Sequence, residues 1–204
     1  MRALLLFTVA ALAGCASGPA GHPAETQADL DRITALLKRD FHERGQAKMS
    51  RIDLDEVQRL CNLHADNPPA ADAKRAEEAM LKAIPFPEGN LLGDWKKGEA
   101  LAQSGRGMTW SDKPGASGGS CYNCHQISPK EEAHGTVGPS LAGFGKTRGN
   151  SAEIQRYVYG KIYNAKAYNA CSAMPRMGAS GTLTAEQIRD LVGLLLDPAS
   201  PVNQ

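Results

Sequence analysis

The sequence predicts an all-α protein, and two observations support this fold class. Apolar residues recur at helical spacing in several segments, and Pro- or Gly-rich breaks separate these segments. Side chains typical of helix N-caps precede some of them, whereas the alternating pattern of a strand is scarce. With 42% hydrophobic and 22% charged residues, the 204-residue chain is too apolar for disorder and too polar for a multispanning membrane protein.

The first residues have the pattern of an export signal rather than of a folded element. A basic start precedes a short apolar run, which cannot span a bilayer and which ends in small residues followed by Cys15. This junction resembles the lipobox of bacterial lipoproteins. We expect residues 1–14 to be a signal peptide, Cys15 to be a lipid anchor and the mature chain to be periplasmic. The alternative is an ordinary signal peptide that is cut near Ala16 or Ala20.

Residues 15–27 suit a flexible tether because they are rich in Gly, Pro and Ala. Residues 28–88 are interpreted as a small N-terminal helical extension with three amphipathic helices. We place these helices around Leu30–Phe41, around Leu54–Cys61 with Asp53 as the N-cap, and at Asp72–Ala83.

Residues 89–204 form a second compositional unit. Helices are predicted at Trp95–Ala102, from the N-cap Ser151 to Asn164, and from the capping box of Thr184 and Gln187 to Leu196. The Gly- and Pro-rich residues 135–149 are predicted to be a loop.

The stretch Cys121-Tyr122-Asn123-Cys124-His125 has the C-x-x-C-H pattern of covalent haem attachment. In that pattern each cysteine sulfur adds to one haem vinyl group, and the histidine becomes the proximal iron ligand. We therefore expect one covalently bound haem c. A zinc site and a redox-active C-x-x-C pair are the alternatives, but the first lacks two further ligands at a suitable spacing and the second lacks a βαβ pattern.

The position of this motif favours a class I cytochrome c domain over residues 89–204. Because 79 residues follow His125, the four-helix cytochromes, whose attachment motif lies close to the C-terminus, are excluded. In the class I fold the sixth ligand comes from a downstream loop, commonly a methionine followed by a proline. Met174 fits this pattern, and Met177 is the alternative sixth ligand.

Two further residues are expected to act near the iron. In class I cytochromes a G-P-x-L run follows the haem motif, so the Pro139 carbonyl is expected to accept the Nδ1 proton of His125. Arg176 follows the Met-Pro pair and is a candidate partner for a haem propionate.

Two cysteines remain once the export signal and the haem motif are assigned. An oxidising compartment favours a disulfide between Cys61 and Cys171, and two separate buried thiols are the alternative. The 23 basic and 22 acidic residues nearly cancel, so no nucleic-acid partner is expected. No nucleophile is paired with a base and the five histidines are scattered, so we expect no catalytic residue in this chain.

Five stretches together resemble the SoxX family, the monohaem cytochrome c subunits of the SoxAX complex of bacterial sulfur oxidation. They are Gly105–Trp110, Cys121–Gln126, Gly138–Leu141, Ala173–Arg176 and Leu194–Pro201. The chain departs from that family at Met177, where phenylalanine is expected. The resemblance implies a heterodimer with a SoxA-type cytochrome subunit, which holds the catalytic centre and joins thiosulfate to a cysteine of a sulfur-carrier protein.

The same resemblance implies the role of this chain in that reaction. It would be the electron-accepting subunit of an L-cysteine S-thiosulfotransferase complex and would pass electrons to a soluble cytochrome. The alternative is a free-standing lipoprotein cytochrome c that shuttles electrons between respiratory complexes. A peroxide-reducing haem enzyme is the third hypothesis, and it requires a vacant or displaceable sixth position at the iron.

Overall fold

The computed structural model describes residues 23–113 and 117–204. The predicted signal peptide at residues 1–14 and the predicted lipid anchor at Cys15 lie outside this range. Apart from one isolated bridge between Arg44 and Ala47, the described residues form helices, turns and loops, with no strand. The all-α fold class predicted from the sequence is confirmed.

The described residues contain seven α-helices joined by turns, loops and short 3₁₀ segments. Their bounds are α1 (Gln27–Asp40), α2 (Glu56–Leu63), α3 (Ala70–Lys82), α4 (Trp95–Gln103), α5 (Phe144–Arg148), α6 (Ala152–Tyr163) and α7 (Ala185–Leu196). A helix is present wherever the sequence predicts one. None of the helices described is both long enough and apolar enough to cross a membrane.

Two details differ from the sequence-based expectations. Helix α2 begins after Asp55 rather than after Asp53, because the Asp55 carboxylate accepts the N–H of Gln58 at 2.8 Å and the Gln58 side chain accepts the N–H of Asp55 at 3.0 Å. Helix α5 lies inside the predicted loop 135–149, where it forms five residues of helix between Gly143 and Gly149.

The main core is built on the crossing of α4 and α7. The two backbones approach so closely that a Cβ atom at Gly98 would lie 2.2 Å from the carbonyl oxygen of Asp190, so only glycine fits there. Asp190 is itself buried and accepts the N–H of Asp94 at 2.9 Å. Since α4 opens on Asp94, this hydrogen bond fixes where α4 starts relative to α7.

The C-terminal residues close one end of this core. The Ser200 hydroxyl donates to the carbonyl oxygen of Leu194. The Asn203 amide donates to the carbonyl oxygens of Leu195 at 3.0 Å and Asp197 at 2.9 Å, and its oxygen accepts the N–H of Lys146 at 3.2 Å. The end of the chain therefore binds the C-terminus of α7 and the first turn of α5 together.

The N-terminal helices contact the rest of the chain on two sides. On one side, α2 and α3 enclose a small core with Ala170, and the Asn164 amide donates to the sulfur of Met80 on α3 at 3.3 Å. On the other side, the loop after α1 meets the segment 106–112, where the guanidinium of Arg44 lies 3.3 Å from the ring centre of Trp110. Gln46 and Arg51 of that loop donate to backbone carbonyls of the same segment.

Candidate haem site

The C-x-x-C-H motif lies on a tight turn that brings its chemical groups together. Ser120 has a left-handed backbone with φ +51°, and a 3₁₀ turn follows at Cys121–Asn123. The N–H groups of Cys124 and His125 both donate to the carbonyl oxygen of Cys121, at 3.1 and 2.9 Å. Both thiols and the imidazole therefore project from one compact loop, and the two cysteines are not bonded to each other.

The imidazole of His125 is oriented by the Gly-Pro run downstream. Its Nδ1 lies 2.7 Å from the carbonyl oxygen of Pro139, and because a carbonyl only accepts, Nδ1 carries the proton. Nε2 is then left with a free lone pair, the atom that an iron ligand needs. A Cβ atom at Gly138 would lie 2.2 Å from Cε1 of His125, so the glycine leaves room for the ring.

A cavity of about 160 Å³ opens in front of this turn. Cys121, His125, Met174 and Met177 contribute to its walls, and the other lining residues are mainly apolar: Ala102, Ile127, Pro139, Leu141, Phe144, Tyr157, Val158, Lys161, Ile162, Leu191, Leu194 and Leu195. An adjoining crevice of about 320 Å³ shares the same four residues and adds Cys124, Val137 and the segment 171–175. Two thiols, one imidazole and two thioethers thus surround one apolar space.

This arrangement fits a flat apolar macrocycle better than either alternative chemistry. Burial raises the pKa of the Cys121 thiol to about 11, whereas a redox-active cysteine has a lowered pKa. Within residues 23–113 and 117–204, one set of three His, Cys, Asp or Glu side chains lies close enough together to bind a single ion. This set is Cys61, Asp66 and Cys171. In this part of the chain, no third His, Cys, Asp or Glu therefore lies within reach of a zinc ion held by both Cys121 and Cys124.

The remaining predicted residues lie as follows. Met174 and Met177 both reach the cavity, so the structure keeps both as candidates for the sixth ligand. Cys61 and Cys171 are joined by a disulfide. Arg176 is absent from the lining of the cavity and of the adjoining crevice, and its guanidinium pairs with the Asp55 carboxylate.

Sequence reasoning missed Glu131, which fixes the segment that follows the haem motif. Its carboxylate accepts the N–H groups of Ile127 and Ser128 and the side-chain amide of Gln103, the last at 2.9 Å. Partial burial raises the pKa of Glu131, but these hydrogen bonds outweigh burial and lower it. The signal was present in the sequence, because Ser128 and Glu131 have the spacing of a capping box.

Comparisons with known proteins agree with this geometry. Residues 116–197 match the cytochrome c family. Over its whole length the chain is 33% identical to an uncharacterized lipoprotein of Aquifex aeolicus (strain VF5), across 210 aligned positions that also span all of that protein. The matched stretch contains the C-x-x-C-H turn, the Gly-Pro run and both methionines. Residues 116–197 thus form a cytochrome c domain, which carries covalently bound haem c and whose role is electron transfer.

Proposed function

We propose that this chain is the electron-accepting monohaem cytochrome c subunit of a periplasmic complex that conjugates thiosulfate to a cysteine of a carrier protein. In that reaction a new S–S bond forms between thiosulfate and the carrier sulfur, and one proton and two electrons are released. A single haem takes one electron at a time, so the subunit must hand each electron on before it accepts the next. The bond-forming site is assigned to a SoxA-type partner subunit.

Four residues are proposed to hold the cofactor. Cys121 and Cys124 form the thioether bonds, His125 is the proximal ligand, and Met174 is the sixth ligand, with Met177 as the alternative. The bound haem supplies a one-electron couple, and a thioether ligand raises its potential. Pro139 keeps the imidazole in the tautomer that ligates iron. Because side chains of the chain itself serve both axial positions, electron transfer is favoured over chemistry on a small molecule at the iron.

The observation that favours a subunit over a free shuttle is the exposure of large apolar side chains beside the cavity. Val137 lines the crevice and is 81% exposed. Tyr157 lines the cavity and is 41% exposed. Apolar residues grouped next to a functional site are typical of a protein interface.

We further propose that the chain is anchored by a lipid at Cys15 and faces the periplasm. The Aquifex aeolicus relative is described as a lipoprotein, and the junction at Cys15 has the pattern that such proteins require. The anchor would hold the electron-accepting subunit at the membrane surface.

The test mixes the purified haem-loaded chain with a SoxA-type cytochrome, a carrier protein with a reduced cysteine, and thiosulfate, without oxygen. We expect the absorption bands of this chain to change to those of ferrous haem only when all three are present. A carrier with an alkylated cysteine is the control, because it cannot form the S–S bond. If the haem stays oxidised in the complete mixture, the shuttle hypothesis replaces this proposal.

A surface variant tests the proposed interface directly. Val137→Glu places a charge at the mouth of the crevice and should weaken binding of the partner at least about tenfold. Leu36→Glu is the matched control, because Leu36 is another exposed apolar side chain but lies on α1. Equal loss of binding for the two variants would contradict an interface at the crevice.

A further inference from the structure

Helix α2 contacts the segment that contains Met174 at both of its ends. Cys61 on α2 is bonded to Cys171, three residues before Met174. Asp55, the N-cap of the same helix, pairs with Arg176, two residues after Met174. Both contacts are formed by one rigid element, which holds the two ends of the short segment at a fixed separation.

The geometry of α2 makes these contacts act together. Cys61 lies six positions after Asp55, which is about 9 Å along a helix axis at 1.5 Å per residue. Because Asp55 also accepts the N–H of Gln58 at 2.8 Å, its carboxylate is fixed at the helix terminus before it meets Arg176. The ion pair is partly shielded from water, since the side chains of Arg176 and Asp55 are 23% and 35% exposed.

Helix α3 holds the chain just before this segment. The Glu77 carboxylate of α3 accepts the N–H of Ala170 at 2.9 Å, and the Lys166 ammonium donates to the carbonyl oxygen of the same residue at 3.0 Å. Burial lowers the pKa of Lys166, consistent with its position under the segment. The backbone is therefore fixed from outside at residues 170, 171 and 176.

Between these points the segment has little support of its own. Met174 lies in neither a helix nor a strand of the described chain, and its N–H donates to the neighbouring Ser172 hydroxyl at 3.2 Å. Pro175 has no N–H to donate. The position of the Met174 side chain thus depends on contacts outside residues 172–175.

We propose that α2 is the positioning element for the sixth ligand, with Cys61, Cys171, Asp55 and Arg176 as positioning residues. A thioether is a neutral and weak ligand, so its hold on iron depends on how far the loop is ordered before the bond forms. The disulfide and the ion pair supply that order. This inference rests on the proposed ligation by Met174.

The test uses the haem-loaded full-length chain with Cys61→Ser and Cys171→Ser together. Imidazole in solution competes with the sixth ligand for ferric iron, so its apparent affinity reports how often that ligand is released. We expect imidazole to bind at least about tenfold more tightly to the double variant, because release of the loop raises the population that can bind it. The methionine-to-iron charge-transfer band should weaken, and the reduction potential should fall.

Conservative variants separate positioning from general stability. Asp55→Asn keeps a good N-cap and removes the charge, Arg176→Ala removes the partner, and Arg176→Lys keeps the charge and should restore most of the native imidazole affinity. Asp53→Asn is the matched control, because it removes the exposed ion pair between Asp53 and Lys38 two residues away.

The outcomes distinguish this proposal from the ligand assignment. If the double-serine variant is less stable but keeps the native imidazole affinity, band and potential, α2 is only structural and the proposal is wrong. If Met174→Ala leaves the charge-transfer band and the potential unchanged, the assignment of Met174 fails and the proposal fails with it. A loss in Met174→Ala together with a loss in the double-serine variant supports both.

Discussion

The two sides of the cavity are fixed by different parts of the chain. His125 is held by nearby residues, since its hydrogen-bond partner Pro139 lies only 14 positions away in the sequence. The segment with Met174 is held by Glu77, Cys61 and Asp55, whose partners in or beside that segment lie 93, 110 and 121 positions away. One side of the cavity is thus held by contacts that are local in the sequence, whereas the other depends on contacts between distant parts of the chain.

The largest effect is expected on the local side. Replacing both Cys121 and Cys124 with alanine removes both thioether bonds, so no haem should remain with the polypeptide after denaturation and acid extraction. The measurement is the absorption spectrum and mass of the extracted chain. The matched control is Cys61→Ala with Cys171→Ala, which should keep its colour. Haem that stays attached in the first variant would exclude covalent bonding at this turn.

The next effect breaks the long-range side. Loss of the disulfide between Cys61 and Cys171 frees a loop of 110 residues, for which the loop-entropy model predicts a loss of about 4 to 5 kcal/mol in the free energy of unfolding. Urea unfolding of the double-serine variant measures this value. A loss below about 1 kcal/mol would show that the attached haem already constrains the unfolded chain as strongly.

A smaller effect is expected from Gly138→Ala. The added methyl group would collide with the His125 ring, and overpacking of this kind costs about 1 to 3 kcal/mol. Urea unfolding and the haem spectrum report the change in stability and in histidine ligation. Gly105→Ala is the control, because its Cβ atom would meet its nearest neighbour at 3.6 Å, an ordinary contact. If both variants behave alike, the close approach at Gly138 has no importance.

The smallest effect concerns acid stability on the Met174 side. Burial raises the pKa of Asp55, but hydrogen bonds from the Gln58 N–H and the Arg176 guanidinium outweigh it and lower the pKa below the ordinary 3.8. The carboxylate therefore contributes stability at neutral pH that is lost as the pH falls below about 4. We expect Asp55→Asn to lower the free energy of unfolding by about 1 kcal/mol or less at pH 7. At pH 3 the native protein and the variant should differ by less, and urea unfolding at both pH values measures this. A difference in the free energy of unfolding that grows towards pH 3 would contradict a lowered pKa for Asp55.

Local patterns in the sequence predicted most of the helices and the cofactor. The capping box of Thr184 and Gln187 marks the start of α7, and Ser151 marks the start of α6, because an N-cap is a matter of three or four residues. The same locality explains the success of the C-x-x-C-H pattern. The roles of Cys121, Cys124, His125 and Met174 stay predictions until the variants are measured.

Features that depend on distant partners could not be predicted. The N-cap of α2 is not such a feature, because Asp55 and Gln58 have the local spacing of a capping box, and the choice of Asp53 was simply wrong. The pairing of Arg176 with Asp55 spans 121 positions and has no local pattern, so it could not be predicted from the sequence. The short helix α5 escaped prediction because the glycines around it resemble a loop.

The last residues of the chain also have a practical consequence. Because the Asn203 side chain joins the ends of two helices, a premature stop codon that removes it should destabilise this end of the fold. A truncation of only two residues would leave the Leu195 and Asp197 carbonyl groups without this donor at the base of the helix that lines the cavity. Production of the protein therefore calls for a purification handle on an exposed loop and for an intact Asn203.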